Sequence, residues 1–428
     1  MSIKSTVAFS VAAIACVAVA GDVDDRPVGI KIGERLTLKP YVSLSATYDS
    51  NVDGRKDGAE DVIWTVNPRI GIEYLSENWK AAFNAYYQYN AYTKGDSTSQ
   101  NSYHGYGEDF QLDWTDSLPS EKGWSFQLAE RFMKTTQADD IMLSDGRGYS
   151  RDRQELKVAG ILMRRFNESL HANINANYYW LDYDNDNNGN NYYSGLYGWS
   201  RWTVGLEAGY ALSKWTDILL SGSYSGYTQD NVGANAARYG LNSYDISDKS
   251  QSWSVMGGIG SYATERISYR ALLGWTRFDY GDGSDKNDGL TYELSGNWKI
   301  GETWNTMLLA SSYYQPCESE YASSIRVDSF SWGLGKTMVR GKLTATFDLS
   351  YRRETREYTA MEGYDYDRDI ISARLGLNYI VSRYITAFAR VEYQNSIGSG
   401  GDSKTAAARA EYYDYNRFRG TLGLSLTY

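Results

Sequence analysis

The chain has 428 residues, is polar on average and carries a formal net charge of -10. That sign argues against a nucleic-acid partner, whose phosphates call for surplus cations. Cys16 and Cys317 are the only cysteines and His104 and His171 the only histidines, which leaves no disulfide framework and no cysteine–histidine metal set.

The amino terminus reads as a secretory signal peptide over residues 1–20. Lys4 precedes an apolar run from Val7 to Ala20, and Ala18-Val19-Ala20 ahead of Gly21 forms a small-residue cleavage site. The run is too short to cross a bilayer as a helix, and charged residues interrupt every later apolar stretch. Cys16 closes only a poor lipobox, so cleavage after Ala20 is expected. Residues 21–39 read as a short periplasmic lead without room for a plug domain, and residues 40–428 as one barrel.

Residues 40–51 form the first predicted strand, with Val42, Leu44, Ala46 and Tyr48 on one face. The second puts Val62, Trp64, Val66, Ile70, Ile72 and Tyr74 on the apolar face, with Thr65, Asn67, Arg69 and Glu73 opposite. Pro68 lacks an amide donor, which predicts a bulge or a ladder defect. After a tight turn at 76–78 the third strand sets Trp79, Ala81, Phe83, Ala85, Tyr87 and Tyr89 against Lys80, Asn84, Tyr86, Gln88 and Asn90. The unit then repeats. Short connections near 117–123, 167–169, 213–214, 263–265, 299–303, 339–342 and 381–383 alternate with longer polar ones, among them 135–150, 182–198, 228–250, 279–288 and 394–414.

This alternation predicts an all-β protein, a transmembrane antiparallel up-and-down β-barrel of about 18 strands with short periplasmic turns and longer outer loops. Lipid offers no hydrogen-bond partners, so such a sheet must close on itself. The content of 39 Tyr against 5 Pro suits uninterrupted ladders ringed by aromatic girdles. Trp79, Trp124, Trp202, Trp215, Trp298, Trp304 and Tyr384 lie near strand ends, where amphipathic rings meet the headgroups.

Tyr48-Asp49-Ser50-Asn51 at the end of a Pro-led strand, then Asp61-Val62-Ile63 and Asn67-Pro68, resembles the opening of a family of porin-like bacterial outer-membrane β-barrels. The match is specific over these opening strands and architectural beyond them. It implies an outer-membrane barrel, and it brings neither catalytic residues nor a settled substrate. The last strand alternates Phe418, Leu422, Leu424, Leu426 and Tyr428 against Arg417, Arg419, Thr421, Gly423, Ser425 and Thr427. Within it, Thr421, Gly423, Leu426 and Tyr428 resemble the carboxy-terminal signal by which outer-membrane barrels are recognised for assembly. The implied partners are outer-membrane lipids and the barrel-assembly machinery.

Charged residues alternating with the apolar set are expected to line the lumen. They are Arg69 and Glu73 on the second strand, Lys80 on the third, and Asp109 and Asp113 on the fourth. Further along come Arg201 and Glu207, then Arg270 and Glu293, then Asp348 and Arg352. Arg374, Arg390, Arg417 and Arg419 complete the set and make the terminal strands rich in Arg. Opposed charge rows would set up a transverse field that selects polar solutes; equally, the same charges could pair off and merely hydrate the lumen. The spacing leaves both readings open.

In the outer loops, Asp184, Asp186 and Asn188 match the first half of a calcium loop, but Gly195 stands where the bidentate acid belongs, which favours a solvated loop over a metal site. Tyr192, Tyr193, Tyr197, Trp199 and Trp202 could stack on sugar rings, although a girdle also accounts for Trp202. The small residues Gly233, Ala234, Ala236 and Ala237 make 228–250 a candidate constriction, against an outward-projecting loop. No Ser, His and acid spacing suggests a catalytic triad. The expected protein is a non-enzymatic channel without cofactors, passing small polar solutes by passive or weakly selective diffusion. The alternative is a barrel serving envelope assembly or exopolysaccharide export. Homo-oligomerisation is left open.

Overall fold

The computed structural model describes residues 29–52, 58–94, 102–116, 122–135, 153–183, 199–213, 215–229, 249–261, 266–280, 285–315, 324–357, 366–399 and 414–428. They form β1 (Ile30–Ile32), β2 (Leu36–Asp49), β3 (Asp61–Leu75), β4 (Trp79–Tyr92), β5 (Ser102–Thr115), β6 (Gly123–Thr135) and β7 (Arg153–Arg165). Next come β8 (Leu170–Tyr183), β9 (Trp199–Ala211), β10 (Asp217–Gln229), β11 (Lys249–Ser261), β12 (Ile267–Tyr280) and β13 (Asp285–Ile300). The series ends with β14 (Trp304–Gln315), β15 (Ser324–Met338), β16 (Leu343–Glu357), β17 (Tyr366–Ile380), β18 (Ile385–Ser399) and β19 (Tyr415–Thr427).

Consecutive strands pair antiparallel from β2 to β19, and β19 returns to β2, so 18 strands close a barrel. The closing ladder runs from Arg419 opposite Asp49 to Thr427 opposite Tyr41, and the Tyr428 amide donates to the Pro40 carbonyl at 3.2 Å. Below that point β19 has ended, and β1 covers the remaining edge of β2 through Ile30 opposite Leu38 and Ile32 opposite Leu36. An uncovered edge would offer a template for another chain. The barrel therefore begins at Leu36, inside the segment expected to be a lead, and β1 is part of the sheet.

Alternation sets the two faces. Leu422, Leu424, Leu426, Leu44, Val66, Leu206, Leu220 and Leu273 are exposed on the outside and together with their neighbours form an apolar belt. Outside a membrane, so large a continuous apolar surface would aggregate. The belt is interrupted by Glu108 and Glu130, which the registers opposite Phe132 and Phe110 set on the outward parity of β5 and β6. Aromatic pairs sit towards its edges, as with Trp79 and Trp114, 5.9 Å apart between ring centres, and Tyr384 stacked on Tyr428 at 5.7 Å.

Three local departures have physical causes. Asn67 and Pro68 drop out of the β3–β4 ladder, yet Val66 opposite Tyr89 and Arg69 opposite Tyr86 keep one register. Pro68 thus leaves a gap without adding a residue: a ladder defect and not a bulge. The loop expected at 279–288 is mostly strand, because Tyr280 pairs with Asp285 and Asp279 with Lys286. Finally, β13 pairs with β14 only from Glu293 to Ile300, while its outer half pairs with β12 alone. Tyr314, on the outward parity of β14, joins instead the buried cluster that contains the inward-facing Phe278, and a Cβ on Gly289 would meet its hydroxyl at 2.9 Å. For that packing to form, the outer end of β13 must lie outside β14 and not beside it.

Candidate functional site

The strand registers put Arg69, Glu73, Lys80, Asp109, Asp113, Arg201, Glu207 and Arg270 on the inner face, opposite in parity to the exposed apolar belt. Glu293, Asp348, Arg352, Arg374, Arg390, Arg417 and Arg419 share that face. Thr421 and Gly423 face inward as well, whereas Leu426 and Tyr428 face outward and are exposed.

The inner carboxylates are held close to cations. Across the closing seam, Arg417 grips Asp49 through Nη2 at 2.5 Å and Nε at 3.0 Å, with both side chains almost wholly buried. Arg419 approaches the same carboxylate at 4.0 Å and Glu392 at 3.5 Å, and Glu392 also accepts from Arg374 at 2.9 Å. Glu73 meets Lys39 at 2.6 Å, Asp109 meets Arg131 at 3.5 Å, and Glu354 meets Arg352 at 2.7 Å. Asp113 accepts from Gln111 at 2.8 Å and lies directly opposite Lys80. Asp348 lies opposite Arg374. Asp61 instead caps backbone, accepting from the Val62, Thr93 and Lys94 amides.

On the far wall, Arg270 bridges Glu207 at 2.5 Å and Glu293 at 2.9 Å. Glu207 lies three strands away on β9. Gly258 and Gly260 of β11 add no side chain in between, and the buried Leu219 of β10 packs over Gly260. Above this pair, Leu181, Trp199, Tyr227, Phe278 and Tyr314 form a buried cluster with Tyr179 against it. Arg201 is half-buried between the register positions of Tyr179 and Tyr227. Trp199 therefore belongs to the packed interior and not to an exposed sugar-stacking set, and Trp202 faces outward against Tyr224 at 5.4 Å.

The exposed charges differ in sign from the chain as a whole. Among the described strand residues that face inward, the exposed charged ones are Lys31, Arg69, Lys80, Arg131, Lys299 and Arg390, all basic, while the inward carboxylates are buried or half-buried. Arg69 lies between the Tyr41 and Tyr86 rings at 5.8 and 5.6 Å, and Arg390 lies 5.3 Å from the Phe388 ring. Rings hold a guanidinium by cation–π attraction without neutralising it. The sequence reading missed Arg131, Asp49 and Glu354. The Phe126, Leu128 and Phe132 parity would have put Arg131 inward, whereas Asp49 and Glu354 sit where strand and turn signals merge.

His104 and His171 do not meet. The His104 ring hydrogen-bonds the Tyr87 hydroxyl on the outward parity, and His171 faces inward near the periplasmic end of β8. No group of metal-ligating residues occurs among the described residues. Asp184, Asp186, Asn188, Gly195, Tyr192, Tyr193, Tyr197, Cys317, the signal peptide and all but the ends of 228–250 lie outside the described residues.

No known family profile matches the chain, and no curated protein matches it in sequence. Solved barrels do resemble it. The FrpB iron transporter of Neisseria meningitidis aligns with 12% identity and a TM-score of 0.47, over 89% of this chain and 64% of the transporter. This chain thus spans less than two thirds of that transporter's length. The outer membrane protein OpdK of Pseudomonas aeruginosa aligns with 11% identity and a TM-score of 0.43, over 91% of this chain and 99% of its own. The siderophore receptor PirA of the same organism gives 8% and 0.42, over 93% and 81%. Overlap this loose says nothing of solute or mechanism. By its own geometry, a closed antiparallel sheet of 18 spanning strands with an apolar outer belt and a charged interior, the protein is an outer-membrane β-barrel.

Proposed function

We propose that the barrel is a passive channel for small hydrophilic solutes. The observation that carries this reading is the exposure of Arg69, Lys80, Arg131 and Arg390 on the inward face of a closed wall. A charged side chain retains exposure there only beside water, because an unpaired charge in a dry interior costs several kcal/mol, on the order of 3–5 when one partner is missing. These residues lie on β3, β4, β6 and β18, so the hydrated path follows the arc of wall that contains the closing seam. Diffusion needs no catalytic group, and the lumen residues would act by hydrating and sorting solutes.

The test is single-channel recording of the purified protein in planar bilayers. Discrete, voltage-independent steps in KCl are expected. A silent protein that is folded by circular dichroism would overturn the reading in favour of a barrel that opens only within an envelope export or assembly system. The buried Trp199, Tyr227 and Phe278 cluster is the feature that favours this second reading.

A further inference from the structure

We infer that the channel selects for anions, with small carboxylated or phosphorylated solutes as its substrate class and Arg69, Arg131 and Arg390 as the groups that attract them. This rests on the channel reading above. The chain carries a formal charge of -10, so composition alone points the other way. Sign in a pore, however, is set by the charges that remain uncompensated beside the solute's path.

Most of the inner carboxylates do not remain so, and Asp113 and Asp348 each face a cation in register. Asp49 is closed off by Arg417, Glu392 by Arg374 and Arg419, and Glu207 and Glu293 by Arg270. Arg69 and Arg390 have no ion pair among the described residues; each is steadied by aromatic rings and left exposed. Arg131 meets Asp109 loosely at 3.5 Å and also lies against the Tyr86 hydroxyl, and its side chain is 51% exposed. A guanidinium presents planar paired donors that match a carboxylate or phosphate, so these residues attract and orient such groups beyond their simple charge. The rings of Tyr41, Tyr86 and Phe388 restrain the Arg69 and Arg390 side chains, so less freedom is lost when an anion binds.

Reversal potentials across a KCl gradient test this directly. With about 0.1 M salt, where screening extends only some 10 Å, the anion-over-cation permeability ratio should exceed about 3, and it should fall towards about 1 near 1 M. Tripolyphosphate added to the unaltered protein should reduce the KCl current about twofold or more, and spermine should leave it unchanged. Arg69→Gln combined with Arg390→Gln should lower the permeability ratio at least about twofold, while Arg340→Gln, in an exposed turn, should not change it. A conducting but cation-selective or unselective parent overturns the inference and leaves the channel reading intact. A silent parent overturns the channel reading and the inference with it. An anion-selective parent whose selectivity survives the double substitution overturns the assignment to these arginines.

Discussion

Two arcs of one wall use the same alternation to opposite ends. From β18 through the seam to β6, the interior keeps several exposed arginines and lysines; from β8 to β14 the exposed inward charge is Lys299 near the end of β13, and the rest holds the Arg270 bridge and the aromatic cluster. Strand geometry is common to both. The difference lies in the inward residues: large rings and a doubly paired arginine on one side, and on the other cations that stay exposed, Arg69 and Arg390 among them with no ion pair among the described residues. A barrel can thus be packed along one wall for stability and hydrated along the other for transport.

The sharpest way to break this contrast is to remove one arginine from each arc. Arg270→Ala strands two carboxylates that are already largely buried, so urea unfolding in detergent should show a loss of about 3 kcal/mol or more. Arg390→Ala should cost within about 0.5 kcal/mol, as for an exposed surface residue. Equal losses would mean that the two arcs are not different environments.

The next test concerns the two faces of the open arc. Leu424→Arg, on the lipid face, should cost about 2–4 kcal/mol near the midplane, while Thr421→Arg, facing water, should cost far less. Thr421 does share a hydroxyl contact with Thr47 at 2.9 Å, so a small loss is expected there. If both variants lost the same stability, the register would be out by one residue.

Smaller effects belong to the two ends of the wall. In the β15–β16 turn, Val339 at φ 53° and Arg340 at φ 54° are both left-handed, a conformation that costs a β-branched residue about 1–2 kcal/mol. Val339→Asn should therefore stabilise the protein by about 1 kcal/mol, read from the same unfolding curves. At the other rim, Lys94 donates to Glu60 at 2.9 Å, and this contact, then that of Tyr48, holds the Glu60 carboxyl below its ordinary value. The Lys94 ammonium is correspondingly raised by Glu60. The contribution is thus present between the two ordinary values, 4.5 and 10.5, and is lost as pH falls through the lowered carboxyl or rises through the raised ammonium. Both groups are open to solvent, so Lys94→Ala should shift the unfolding midpoint barely at neutral pH and not at all near pH 2. A large shift at either pH would mean that the rim is more enclosed than the wall below it.

Much of this was legible in the sequence because a strand has a period of two. Val62, Trp64 and Val66 fix the outside, and Thr65, Asn67 and Arg69 then have no alternative but the inside. The same reading could not see pairings that depend on closure. Asp49 and Arg417 are 368 positions apart, and Arg270 meets Glu207 across β11, which offers glycine between them. Nor could it see that Gly281 to Asp288, rich in turn residues, is in part drawn into the β12–β13 ladder. Whether a lumen charge is neutral in effect depends on neighbours that the one-dimensional pattern does not contain.

The partial β13–β14 ladder bears on how such a wall yields. Of the sixteen residues in β13, only those from Glu293 to Ile300 share the sheet with β14. Amide protons on that side of the outer half lack a ladder acceptor on β14, so deuterium should replace them earlier than their counterparts on β16 or β17. Under heat or pulling force, the first strands to part should then be β13 and β14, starting at the outer end. The non-covalent closure between the first and last strands of the barrel, β2 and β19, looks like the natural line of weakness; the buried Arg417–Asp49 grip makes it the firmer of the two.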